Sequence, residues 1–303
     1  MKYSVSGVMC LLTFLVAIFP SALSAVVMVF TENPWTQLDV YPRATVAADG
    51  HAITVDGDLS DWNPAAFYHF YNNELVKDQF AFRSAFAYDD KGLLFAARFT
   101  DRNPLLNHCN PAVAPKEGWD GDSFQFRLTG NLKPVLRDKS DNIALVTIWY
   151  YTDKRLPVLH IAYGTDMHEQ LVRTGAESGL AVRAVENGYV IEGHIPYEWL
   201  RQPPPAPGAQ WRFQVQGNFS DAAGKSVHVV YECFTKQVSF FNDPTGWGSA
   251  LFVKPDGQAA RLEIKRAETA RKRSGPSIVD LAAIPFTYQN PGDGYVSLAA
   301  RND

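Results

Sequence analysis

Apolar and polar residues alternate with a period of two along most of this chain. Phe80, Phe82, Phe86 and Tyr88 alternate with small or polar neighbours, Asp89-Asp90-Lys91-Gly92 supplies a turn, and Leu93, Phe95, Ala97 and Phe99 resume the alternation. That pattern predicts a β-hairpin. A second hairpin is predicted from Ala181 to Glu186 and from Tyr189 to Ile195, around Asn187-Gly188, a dipeptide that accepts the positive φ angles of a type I′ turn. Further strands are predicted from Ser123 to Leu128, Ile143 to Tyr151, Val158 to Tyr163, Trp211 to Asn218, Val227 to Phe234 and Ala250 to Val253. Helical signal is confined to one short turn between Pro196 and Arg201. Many short strands at this spacing predict an all-β fold, a sandwich or closed barrel with the antiparallel topology that short connections permit, and the fold expected here is an antiparallel, jelly-roll-like β-sandwich.

The two ends break the pattern. Lys2 precedes an apolar run from Val8 to Phe19, then Pro20 and the small residues Ser21 to Ala25. This order predicts a secretory signal peptide over residues 1–24, and hence a secreted or periplasmic chain. The run is about a dozen residues, against the ~20 that a membrane-spanning helix needs. Residues 25–254 carry the strand pattern. Residues 255–277 read as a charged linker, densest from Arg261 to Arg273, and residues 278–303 regain apolar character as an incomplete C-terminal β segment, the start of a second β domain. Fusion to further domains is the corresponding expectation.

Charge and motif content narrow the chemistry. The formal net charge is −4 with both signs interspersed, which offers no field for nucleic acid. Cys109 and Cys233 remain after signal removal, and an oxidising compartment would permit their pairing without requiring it. The chain has no G-x-S-x-G, H-E-x-x-H or G-x-x-x-x-G-K motif, and no paired-carboxylate signature, so no catalytic residues are assigned and a non-enzymatic role is expected.

Several stretches, in order, resemble the family 9 carbohydrate-binding modules over roughly residues 45 to 254. They are Ile53 to Trp62 (ITVDGDLSDW), Tyr88-Asp89-Asp90 with Leu94 to Asp101, Trp119 to Phe126 (WDGDSFQF), Gly188 to Pro196 (GYVIEGHIP), Trp211 to Asp221 and Trp247 to Phe252. The resemblance implies a sugar clamped between aromatic faces, here Trp119 and Phe241, with Gln125, Gln216 and Asn218 bonding its hydroxyls. A pyranose offers axial C–H groups to a π face and hydroxyls at its rim, so this choice of residue types suits it. Strand alternation turns Ser123, Gln125 and Arg127, and likewise Gln214, Gln216 and Asn218, away from the core face. Gln125 stands where the family usually has Glu, Phe replaces a second Trp, and no arginine falls on the strand from Ile143 to Tyr151. Asp101 and Asp122 match acidic positions that in relatives lie near calcium, which makes a structural calcium a further expectation, whereas Asp56, Asp58 and Asp61 read as turn formers.

The function expected from this resemblance is that of an exported, non-catalytic module holding a sugar or glycan end in carbohydrate catabolism, an oligo- or polysaccharide being its partner. Two alternatives remain at this level. One is a b-type haem-binding electron-transfer domain, for which Met28 and Met167 are the only methionines left after signal removal. The other is an adhesion or scaffold module of a larger envelope protein.

Overall fold

The computed structural model describes residues 37–48, 52–71, 74–232, 243–255, 286–289 and 297–300. The strands are β1 (Gln37–Pro42), β2 (Tyr68–Phe70), β3 (Phe80–Tyr88), β4 (Gly92–Asp101), β5 (Ser123–Thr129), β6 (Ala144–Tyr151), β7 (Leu156–Tyr163), β8 (Glu169–Thr174), β9 (Leu180–Val185), β10 (Gly188–Pro196), β11 (Gln210–Ser220), β12 (Ser226–Glu232) and β13 (Gly248–Phe252), of which β1, β2 and β8 fall outside the predicted segments. Two single-turn helices, α1 (Arg43–Val46) and α2 (Tyr197–Leu200), join them. Farther along, β14 (Phe286–Gln289) and β15 (Ser297–Ala300) pair antiparallel inside the stretch 278–303, where apolar character resumes. No helix among the described residues is long and apolar enough to cross a membrane.

The fold is all-β, with a front layer ordered β8-β7-β6-β5-β11 and a back layer ordered β3-β4-β10-β9. Each layer ends on a strand whose outer edge is shared. β11 pairs with β12 and with β13, and β3 pairs with β2 and with β1. β1 links the layers, since residues 37–40 lie parallel to β13 and Tyr41 and Pro42 lie parallel to β3. The sheet is therefore mixed rather than purely antiparallel. Short hairpin connections impose antiparallel pairing, but β1 reaches both partners through long stretches of chain that leave its direction free.

Between the layers, Phe86 meets Phe213 at 4.9 Å and Phe126 at 5.6 Å, and Phe95 meets Phe124 at 5.7 Å between ring centroids. These separations are typical of favourable aromatic pairs. Gly217 makes the packing possible, because a Cβ there would lie 2.8 Å from the Phe82 ring and 2.9 Å from the Phe99 ring. Trp211 is buried in the same cluster, whereas Trp62, Trp149 and Trp247 fill smaller satellite clusters.

Two of the sequence motifs meet at one side chain. Glu192 on β10 accepts hydrogen bonds from the backbone N–H groups of Asp56 and Gly57 and from Trp62 Nε1, which ties the opening motif to the back layer. The nearby aspartates serve turns: Asp56 accepts from Asp58 N, Asp58 from Ser60 N, and Asp61 from Thr54 N. The β9–β10 hairpin differs from a type I′ turn at Asn187-Gly188. Val185 pairs with Gly188, so Glu186 and Asn187 form the corner and only Asn187, at φ 58°, is left-handed there. Close approach requires Gly188, since a Cβ would fall 1.9 Å from the Phe99 carbonyl oxygen.

Candidate functional site

On β5, Phe124, Phe126 and Leu128 face the core, so Ser123, Gln125, Arg127 and Thr129 line the outer face of the front layer. On β11, Gln214, Gln216 and Asn218 share that outer face. The register sets Gln214 opposite Arg127, Gln216 opposite Gln125 and Asn218 opposite Ser123. Side chains thus placed bond to one another. Arg127 donates from Nη1 to Gln214 Oε1 (2.8 Å) and Gln216 Oε1 (3.0 Å), and from Nη2 to Gln125 Oε1 (2.9 Å). Gln216 Nε2 donates to Asn218 Oδ1 at 2.8 Å, and Asn218 Nδ2 to Ser123 Oγ at 2.8 Å.

Three of the sugar-contact candidates, Gln125, Gln216 and Asn218, therefore belong to one network, and Arg127 is its hub. Sequence reasoning placed Arg127 on the correct face but sought an arginine on the neighbouring strand. The signal was its two-residue spacing from Gln125. Across the layer the register continues the band from Gln125 to Thr147 on β6 and His160 on β7, where His160 Nε2 lies 3.0 Å from Gln170 Oε1. Burial holds His160 below the ordinary imidazole range.

This polar band points away from the core yet is enclosed: Gln125 is 3 % exposed, Asn218 1 % and Gln216 9 %. Apolar clusters flank it on the same face. Ile143, Leu145 and Ala162 gather with Trp247 on one side, and Trp149, Tyr151 and Val158 with Cys109 on the other. One polar atom of the network stays without a partner, the Nε2 of Gln214.

Trp119 stands four residues ahead of Ser123 in the β4–β5 connection and is 49 % exposed. The loop that carries it is braced from beneath. Gly118 lies on the Trp149 ring, with room for no Cβ, which would come to 2.6 Å. Asn107 Nδ2 donates to the Gly118 carbonyl at 2.8 Å and to the Asp122 carbonyl at 3.1 Å, and Lys225 Nζ reaches Asp120 Oδ2 at 2.7 Å. A shallow cleft of about 360 Å³ lies between Tyr151, Leu156, Val172 and Asn110-Pro111-Ala112, beside the β7–β8 end of the band, where Val172 is the register partner of His160. Phe241, the second clamp candidate, and Cys233 lie outside the described residues. Cys109 packs its Sγ 3.0 Å from the Ala114 carbonyl, and burial raises its thiol to about 11.

The metal candidates Asp101 and Asp122 are both 2 % exposed and adjacent. Asp122 accepts from Leu106 N at 2.8 Å and from Ser220 N at 2.6 Å, and Asp101 Oδ1 accepts from Asn103 N at 2.9 Å. Burial raises Asp101 to about 6, and burial together with the neighbouring Asp101 raises Asp122 to about 7. Asp101 Oδ2, Tyr189 Oη and Ser220 Oγ are buried without a partner. Two carboxylates fall short of the six to eight oxygens that calcium takes, so an ion here would draw on these orphaned oxygens, backbone carbonyls and water. Among the described residues no three His, Cys, Asp or Glu side chains gather in a metal-binding group.

No family model matches the sequence, and no curated protein matches it significantly. Among solved structures, the chain is similar to a family 9 carbohydrate-binding module from Caldicellulosiruptor kristjanssonii in complex with cellotriose, at 16 % identity and a TM-score of 0.47, covering 74 % of this chain and 96 % of that one. It is similar to a family 9 module of the same organism in complex with glucose, at 15 % identity and a TM-score of 0.47, covering 72 % of this chain and 96 % of that one.

Proposed function

We propose that this chain is an exported, non-catalytic carbohydrate-binding protein that holds a sugar or glycan end, serving carbohydrate catabolism. The observation that carries this reading is a half-exposed indole on a braced loop, leading directly into a strand whose outer face opens the Ser123–Gln125–Arg127 network. A half-exposed indole offers a π face on which the C–H face of a sugar ring can stack. Amides both donate and accept, so they exchange partners with hydroxyls at little net cost, and Gln216 is the most open of the three candidate amides. Export by the signal peptide of residues 1–24, action as part of a larger multidomain protein, and a structural calcium at Asp101 and Asp122 complete the proposal.

A glycan array probed with the mature protein tests it. Retention of one class of oligosaccharide by the wild type, and its loss in Trp119→Ala with the melting midpoint unchanged, is the expected result. Failure to retain any glycan would overturn the reading.

A further inference from the structure

The connection between β5 and β6 carries a second exposed apolar surface, at the opposite end of β5 from Trp119 and roughly 20 Å away by strand length. Leu132, Val135 and Leu136 are 46 %, 63 % and 61 % exposed, an unusual concentration of aliphatic side chains on one surface loop. The loop is nonetheless anchored. Pro134 and Asp138 are buried beneath it, and the Asp138 carboxylate accepts from Val135 N at 3.3 Å and Ser140 N at 2.9 Å. Asp138 N closes a turn on the Val135 carbonyl at 3.1 Å, with Arg137 at φ 56°, and Arg212 Nε donates to the Leu132 carbonyl at 3.3 Å. The outward positions are Leu132, Lys133, Val135, Leu136, Arg137 and Lys139; Lys139 is ion-paired with Asp166 at 3.4 Å, so the cations set among the three aliphatic side chains are Lys133 and Arg137. Of the two acids in the connection, Asp138 is turned inward, and Asp141 is exposed but paired with His168 at 2.7 Å and Arg201 at 3.7 Å.

We propose that this loop docks the protein on an anionic lipid surface, Leu132, Val135 and Leu136 entering the interfacial region while Lys133 and Arg137 meet headgroup phosphates. Aliphatic tips interleaved with cations fit a boundary that is apolar below and negatively charged above, where each cation near the surface adds to the attraction. A purely apolar protein partner would leave those cations desolvated without a counter-charge. The proposal stands apart from the sugar-binding reading, since Trp119 and the polar network take no part in it. Its test is co-sedimentation of the full mature chain with vesicles of phosphatidylglycerol and phosphatidylcholine, compared with vesicles of phosphatidylcholine alone. The expected result is sedimentation with the anionic vesicles only, weakened at least tenfold in a Leu132→Ser, Val135→Ser, Leu136→Ser triple variant and in Lys133→Gln with Arg137→Gln, both with unchanged circular dichroism. Absence of sedimentation with anionic vesicles, equal binding by the triple variant, or a wild-type dimer on gel filtration that the triple variant dissolves would each overturn it.

Discussion

At the scale of single residues, the outer face of the front layer turns on Arg127. Its guanidinium reaches Gln214, Gln216 and Gln125, three amide oxygens set by strand register at fixed positions around it. Arg127→Ala would strand those oxygens in an enclosed band, with an expected loss of about 3 kcal/mol in denaturant unfolding. Arg127→Lys would recover little of it, because a point ammonium cannot bond three oxygens in the geometry of a planar fork. Trp211, 4 % exposed and in edge contact with Phe252 at 4.6 Å, provides the contrast to Trp119. Trp211→Ala is expected to cost about 3–5 kcal/mol, as for other buried aromatic truncations. Were Trp119→Ala to cost as much, Trp119 would be a packing residue and the sugar platform would lose its wall.

At the scale of elements, buried carboxyl groups join strands to loops and make stability depend on pH. Asp101 ends β4, Asp122 precedes β5, and Glu192 lies on β10; burial raises them to about 6, about 7 and about 7. Each value lies above that of the unfolded chain, so between pH ~4 and ~7 these three groups hold more protons in the folded protein and the stability they contribute falls as pH rises, against an opposing contribution from His160 and His228, which burial lowers. In the presence of a chelator the melting midpoint is therefore expected to be higher at pH 5 than at pH 8, and Asp122→Asn to flatten the difference. The calcium proposal adds a separate expectation. Calcium would supply the positive charge that the ionised pair lacks, raising the midpoint at pH 8 more than at pH 5. A midpoint indifferent to calcium at pH 8 would remove the ion from the proposal.

At the scale of the whole molecule, β1 contributes as a bridge. It is hydrogen-bonded to β13 in one half and to β3 in the other, so loss of either half would leave an edge of one layer open. The buried clusters that define the sandwich draw on residues from Leu38 to Val253. A chain of residues 37–255 is expected to unfold in one cooperative transition and to give a far-ultraviolet spectrum dominated by β structure. Restarting it after Pro42 should broaden that transition and shift it to lower denaturant. An unchanged transition would show that the layers hold without the bridge.

Strand positions and facing were determined by local sequence, because the side-chain period of two is a property of the extended backbone that needs no partner to be read. The alternation of Phe124, Phe126 and Leu128 with Ser123, Gln125 and Arg127 is the plainest case. β8 was not legible, since Glu169-Gln170-Leu171-Val172-Arg173-Thr174 is a half-buried edge strand whose neighbour supplies the apolar contact. The β9–β10 corner lay one residue from the Asn-Gly signal, because a contact with the Phe99 carbonyl, distant in sequence, selects the place of Gly188. Alternation also told which polar groups leave the core, but not that they would be enclosed with Arg127 at their centre. Only the register of β5 against β11, and the apolar clusters gathered on either side of that register, decided it, and both arise from contacts between residues many positions apart in the chain.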